Sequence, residues 1–330
     1  MIQRRTFRMK RRILAVLLAF SFVLGCMSPV TASAAAKKRY RLTKITVSTG
    51  GSTTDKIVVS YNESSHTVKE KEYDSDGKLS ETGNLKYDAA GNLSSIRITD
   101  ETGKYSYTIL CEYDGQHRLT KRSLQKPDGT TFWQSLLSFD AQYDAAGNPT
   151  EITHYQNDGS VMFSWSYSYT YDDSGRIIRT DIRYSGSGTS TNGTDSSCYA
   201  LSTYEDGKLV RMDAYSTSGA AQGYTLYQYD AKGRKTAETG YSMDGTVTSS
   251  KSWKYNSKGL LTYESAGTQG GSKNSYKYQY DSHGNRIKQI WTIQSSNGTT
   301  STQTTKYTYK AVTSKWVPEI WNVSSGAKYQ

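Results

Sequence analysis

The chain has 330 residues with 41 basic and 30 acidic side chains, a formal charge of +11 that would raise nucleic acid or an anionic membrane as a partner. All of that surplus lies ahead of Ile45, in Arg4, Arg5, Arg8, Lys10, Arg11, Arg12, Lys37, Lys38, Arg39, Arg41 and Lys44; the rest carries 30 charges of each sign, so a nucleic-acid footprint is excluded. Of three cysteines only Cys111 and Cys198 lie in the body, which excludes a disulfide-rich scaffold.

Residues 1–34 read as a secretory signal peptide: bases from Arg4 to Arg12, an apolar run from Ile13 to Leu24, then small residues ending in Ala32-Ser33-Ala34. The run of 12 residues falls short of the roughly 20 needed for a permanent span. Cleavage after Ala34 predicts a secreted, extracellular product. Val23-Leu24-Gly25-Cys26 also resembles a lipobox, and processing there would leave the protein anchored at the cell surface through lipidated Cys26. Residues 35–60 are expected to be a basic lead-in with N-terminal capping strands, and no transmembrane segment is expected after cleavage.

Residues 61–308 are self-similar, which is the strongest signal in the sequence. The hexapeptide YDAAGN occurs at Tyr87 to Asn92 and again at Tyr143 to Asn148, and degenerate copies begin at Tyr61, Tyr113, Tyr171, Tyr204, Tyr229, Tyr255 and Tyr280. The spacings are 26, 26, 30, 28, 33, 25, 26 and 25, with an eroded tenth copy at Tyr309. A second turn glycine falls 16 residues after most anchors, at Gly77, Gly103, Gly129, Gly159, Gly245 and Gly271. Two turns per repeat leave segments of strand length, too short for capped helices. Each repeat is therefore one β-hairpin. The predicted class is all-β, with tandem antiparallel hairpins in an extended, twisted or spiralling meander. Residues 309–330 are expected to cap it, and loss of the last repeat is expected to spare the rest, because each hairpin touches only its neighbours.

The turn chemistry supports this reading. In Asp88-Ala89-Ala90-Gly91 the carboxylate can bond the backbone two residues on, while the glycine supplies the left-handed conformation. Asp144 to Gly147, Asp172 to Gly175, Asp230 to Gly233 and Asp281 to Gly284 repeat the pattern. Between turns the aromatics alternate: Tyr105, Tyr107, Ile109, Cys111 and Tyr113 are expected on one face, as are Trp165, Tyr167, Tyr169 and Tyr171, then Trp253 with Tyr255, and Tyr276 with Tyr278 and Tyr280.

The pattern Tyr-Asp-x-x-Gly followed by Asn, Lys or Arg resembles the YD (RHS) repeat family, over roughly Tyr61 to Tyr309. That resemblance implies hairpins wound into a continuous sheet, which in large members forms a shell around a toxin domain and in others is displayed at cell surfaces. The short chain and the roughly 20 residues after Tyr309 leave no room for an effector domain, and a complete shell is not expected.

No catalytic constellation stands out. The recurring aspartates sit at the same place in every copy, as a turn requires and an active site does not. His66, His117, His154 and His283 have no metal-site or nucleophile spacing, and neither a cofactor nor a metal is implied. The aromatic rows are the functional candidates, with Trp165, Tyr167, Tyr169, Trp253, Tyr276 and Tyr278 as ligand contacts; their alternative role is cross-strand packing. The expected function is non-catalytic binding or scaffolding of an extracellular polysaccharide, a cell-wall polymer or a secreted or host protein. The alternative is an accessory subunit of an RHS-type toxin system.

Overall fold

The structure is a computed structural model and describes residues 39–132, 138–156, 158–186 and 197–320. The expected signal segment and Cys26 lie outside these residues. Among them are 21 strands and no helix. The first seven are β1 (Arg39–Thr49), β2 (Ser52–Asn62), β3 (Thr67–Tyr73), β4 (Leu79–Tyr87), β5 (Leu93–Asp100), β6 (Tyr105–Tyr113) and β7 (Leu119–Gln125). Next come β8 (Thr131–Phe132), β9 (Phe139–Tyr143), β10 (Pro149–Tyr155), β11 (Val161–Tyr171), β12 (Ile177–Gly186), β13 (Cys198–Glu205) and β14 (Lys208–Ser216). The last are β15 (Ala221–Tyr229), β16 (Lys235–Tyr241), β17 (Val247–Tyr255), β18 (Leu261–Thr268), β19 (Lys273–Tyr280), β20 (Arg286–Gln294) and β21 (Thr300–Val312).

Apart from β8 and β9, which do not pair with each other, every strand pairs antiparallel with its neighbours in the chain; the short β8 and the following β9 both pair β7. The protein is thus an all-β hairpin meander. The two ends of the meander then join: β1 pairs β21 from Arg39↔Val312 to Thr49↔Gln303, which closes the sheet into a ring. Tyr309 is not followed by a turn; it stays in β21 opposite Leu42 of β1. The tenth hairpin is therefore assembled from the two ends of the chain, and the ring has no free edge at this seam. Closure removes the basis for expecting the rest of the sheet to survive loss of the last repeat.

The YD turns show why the motif has its composition. In Asp114, Asp172 and Asp230 one carboxylate oxygen accepts the backbone N–H groups two and four residues on, at 2.9–3.0 Å. The residue after the turn then reaches back: Arg118, Arg176 and Arg234 each pair with the Asp of their own turn at 2.6 Å. The same guanidinium lies over the anchor tyrosine of the next repeat, Arg118 over Tyr143 at 4.8 Å, Arg176 over Tyr204 at 5.0 Å and Arg234 over Tyr255 at 4.5 Å. Five anchor hydroxyls donate to a carbonyl of the preceding repeat: Tyr143 to Leu119, Tyr204 to Ile177, Tyr229 to Leu209, Tyr255 to Lys235 and Tyr280 to Leu261, all at 2.7–3.0 Å. Tyr61 makes the same bond to Leu42 across the seam hairpin, at 2.7 Å. In the fifth repeat the bond comes from Tyr169 to Pro149, while Tyr171 turns outward to Asp144 and Asn148.

The turn beginning at Asp114 has His117 (φ +62°) as its left-handed residue. Two local readings change. In the turn after β18 the left-handed residue is Gly270 (φ +66°) and not Gly271. A bulge between Ile98 and Thr99 sets Tyr105 opposite Thr99, and its ring packs under Arg97 on the face opposite Tyr107.

A closed single sheet can bury side chains only on its inner face. Leu42, Ile45, Ile57, Val59, Val68, Leu85, Ile96, Ile98, Ile109 and Leu124, all at most 5% exposed, share one cluster, and the side of the sheet they occupy is therefore the inner one. Residues 313–320 lie on this side across β1 to β4. Arg41 donates to the Trp316 carbonyl at 2.7 Å, Tyr87 bonds the Glu319 carbonyl, and Ile320 joins the cluster. The outward positions are those of a wetted surface, for example Ser166, Ser168 and Thr170 on β11 and Thr302, Lys306, Thr308 and Lys310 on β21, all exposed. A ring of this many strands is far wider than the eight-stranded barrels that side chains fill.

Candidate functional site: aromatic rows on the inner face

Away from the buried cluster, the inner face of β11 to β20 is only partly covered, and its aromatic rings form two groups. The first belongs to β11 and β12. Ser164, Ser166 and Ser168 alternate with Trp165, Tyr167 and Tyr169, so the three rings point inward together. Opposite them on β12 stand Tyr184, Ile182 and Thr180, with the Trp165 and Tyr184 rings 4.8 Å apart. Next to this group His154 is wedged between Phe139 and Phe163, at 6.0 and 4.6 Å. Burial holds this imidazole below its ordinary value, so it is neutral at pH 7.

The second group spans four strands in one cross-strand row: Trp253 on β17 faces Glu264 on β18, Glu264 faces Tyr276 on β19, and Tyr276 faces Trp291 on β20. Tyr276 and Trp291 are parallel (7°) at 6.0 Å, and Tyr276 and Tyr278 are parallel (3°) at 6.4 Å. Polar groups fix the rings. Trp291 Nε1 donates to Asn274 Oδ1 at 3.1 Å, and the Tyr278 hydroxyl donates to Glu264 Oε1. Lys235 lies over Tyr227 at 4.6 Å and Trp253 at 5.7 Å, and Glu238 holds both Lys251 (2.8 Å) and Lys235 (3.5 Å). Burial raises the pKa of Tyr276 and pushes that of Tyr169 up to about 12, so these phenols remain neutral donors at physiological pH.

Trp253, Tyr276 and Tyr278 are thus brought together, and so are Trp165, Tyr167 and Tyr169, but the two groups are separated along the sheet by β13 to β16. Asp88, Gly91, Asp144, Gly147, Asp172, Gly175, Asp230, Gly233, Asp281 and Gly284 all lie in the turns along one rim of the ring. Cys111 on β6 and Cys198 on β13 are not joined in a disulfide. His66, His117 and His283 are exposed in turns, and among the described residues no three His, Cys, Asp or Glu side chains are grouped as a metal site.

Sequence reasoning missed Trp291, Glu264 and Tyr184. Trp291 is the instructive case. Counting outward from the turn at Asp281 places Ile290 opposite Tyr276, but a bulge between Gln279 and Tyr280 shifts the register by one and brings Trp291 there. Also missed was an outward aromatic set, in which Tyr199 stacks on Tyr215 and Tyr224 on Tyr241, each pair at 4.9 Å. Arg179 and Arg211, ion-paired to Asp181 and Asp213, cover these stacks at 4.1 Å. The tyrosine content therefore serves both faces.

Parallel rings flanked by amides, carboxylates and neutral phenols suit the stacking and hydrogen bonding of a ring-shaped, hydroxylated ligand. No curated protein matches the chain. Among solved structures it is similar to TcdB2-TccC3-TEV, at 12% identity and a TM-score of 0.31 over 83% of this chain and 19% of that one. It is also similar to a porin-like protein from Bacteroides uniformis ATCC 8492, at 12% identity and a TM-score of 0.31 over 82% of this chain and 98% of that one. Residues 87–131 match the family model described as RHS Repeat, and the arginine latch of the turn at Asp114 inside that stretch recurs at Asp172 and Asp230.

Proposed function

We propose that the protein is an exported, non-catalytic binding module that holds an extended glycan against the aromatic rows of its inner face. The row Trp253, Glu264, Tyr276 and Trp291 carries this reading. Trp253, Tyr276 and Trp291 keep part of their surface open, unlike Leu85 and Ile96 of the buried cluster at 0% and 2% exposure. Hydrogen bonds from Trp291 Nε1 to Asn274 and from the Tyr278 hydroxyl to Glu264 hold the rings in place. Export rests on the basic, apolar and small-residue order of residues 1–34.

Affinity electrophoresis of the processed protein in gels containing neutral glycans tests the reading, with Trp253→Ala, Tyr276→Ala and Trp291→Ala as variants. The expected result is retarded migration that the variants relieve while their melting temperatures stay within a few degrees of the parent, with no release of reducing ends. Unretarded migration of the parent in every glycan, or lowered melting temperatures with unchanged retardation, would assign the rings to packing.

A further inference from the structure

The repeat supplies its own reference for an unusual charge on the inner face. In the seventh copy the latch residue Arg234 is followed by Lys235, which turns inward, and three residues later Glu238 neutralises it at 3.5 Å. In the ninth copy Asn285 stands at the latch position and satisfies Asp281 by itself, through its backbone N–H at 2.9 Å and its amide at 2.8 Å. The next residue, Arg286, turns inward as Lys235 does, and the side chain three residues on is Gln289, again at 3.5 Å. An amide stands where the other copy has a carboxylate. No ion pair neutralises Arg286 among the described residues, and its Nε is buried without a hydrogen-bond partner. Arg118, Arg176, Arg179, Arg211 and Arg234 are all ion-paired.

The position of this charge is informative. The guanidinium lies 4.4 Å over the Tyr278 ring. Tyr278 is parallel to Tyr276 at 6.4 Å, and Tyr276 is parallel to Trp291 at 6.0 Å. The four groups form a run that ends in an uncompensated cation, with Tyr307 and Gln289 beside it at 3.5 Å from each other. A partly buried guanidinium without an anion carries a desolvation penalty that a carboxylate relieves, and its planar donor fork fits a carboxylate in two-point contact. A glycan laid along the rings would present ring faces to Trp291 and Tyr276 and a ring substituent to Arg286.

We infer that the ligand is an acidic glycan, with a uronate carboxylate received by Arg286 and neighbouring pyranose rings stacked on Tyr276 and Trp291. This inference rests on the glycan-binding reading above and narrows it. Gln289→Glu recreates the internal neutralisation of the seventh copy without deleting any ring, so it separates charge from packing.

Isothermal titration of the processed protein with oligogalacturonate and with an uncharged gluco-oligosaccharide of equal length provides the test. The parent should prefer the acidic oligomer at least tenfold, and the preference should shrink as salt is raised from about 50 to 500 mM, a range over which the screening length falls severalfold. Gln289→Glu should abolish the preference while raising the melting temperature, and Arg286→Gln should abolish it without loss of neutral-oligomer binding. Equal affinity of the parent for the two oligomers, or a preference unchanged in Gln289→Glu, overturns the inference. In that outcome neutral-oligomer binding that is lost in Trp291→Ala leaves the glycan reading standing, whereas failure of both oligomers to bind removes both.

Discussion

Replacing Tyr255 by phenylalanine removes one hydroxyl and leaves the ring, so the variant isolates a single strand of the latch between repeats. The hydroxyl donates to the Lys235 carbonyl at 3.0 Å, whereas the ring face under Arg234, at 4.5 Å, is kept. A partly buried hydrogen bond of this kind contributes about 0.5–1.5 kcal/mol net. In a chain of this size 1 kcal/mol corresponds to roughly 2 °C, so the melting temperature should drop by about 1–3 °C. Tyr171→Phe is the internal control, because that tyrosine is 38% exposed and its hydroxyl meets only Asp144 and Asn148 at the surface. Its cost should stay within about 0.5 kcal/mol. Urea unfolding followed by tryptophan fluorescence, with thermal melts by circular dichroism, reads both variants. Equal costs for the two, or no cost for Tyr255→Phe together with Tyr229→Phe and Tyr280→Phe, would refute the latch as the contact that ties repeat to repeat.

Deleting β21 and the residues after it opens the seam and bares β1 and β20, so circular dichroism should show broad loss of the sheet at 25 °C and not fraying confined to one end. Acid should weaken the fold in two stages. His154 is depressed by burial, so the unfolded chain binds the proton more readily and stability falls as pH drops below about 6.5. The depressed turn carboxylates Asp114, lowered first by the Arg118 backbone N–H, and Asp230, lowered first by the Arg234 side chain, add a second loss below about pH 4. His154→Phe should remove the first stage in a pH series of urea midpoints and leave the second. Burial pushes the Cys111 thiol up to about 11, so iodoacetamide at pH 8 should modify it far more slowly in the native protein than after unfolding, as read by peptide mapping.

The repeat period, the strand lengths and the turns were legible because they rest on local chemistry: Asp and Gly at fixed offsets announce the hairpin wherever the fold places it. The neighbours Trp253 and Tyr276 could be put on one face by period-two counting. Their assembly with Glu264 and Trp291 could not, since a one-residue bulge at Tyr280 decides which side chains face each other and leaves no mark in composition. Tyr105 was misplaced by the same kind of bulge. Closure was illegible for a different reason. The residues that pair at the seam, such as Ile45 with Tyr307 and Val47 with Thr305, look like ordinary strand residues at opposite ends of the chain. The roles of Arg118, Arg176 and Arg234 were half visible, as bases recurring after a turn; only the three-dimensional offset between repeats reveals the tyrosine each one covers.

The hairpin shared between Arg39–Thr49 and Thr300–Val312 also sets a condition on how the protein is made. As the chain grows, its first strand has a partner on one side only and must wait for some 250 later residues before the other side is satisfied. A contact so remote in sequence forms late, and until it forms the waiting edge can accept the last strand of another copy as readily as its own. Concentrated refolding should therefore yield rings built from two chains, each closing the other, with the same hydrogen bonds at the exchanged seam as in the monomer. Dilution during refolding favours self-closure. A membrane channel that releases the chain one end first would have the same effect, because each chain would emerge apart from its competitors.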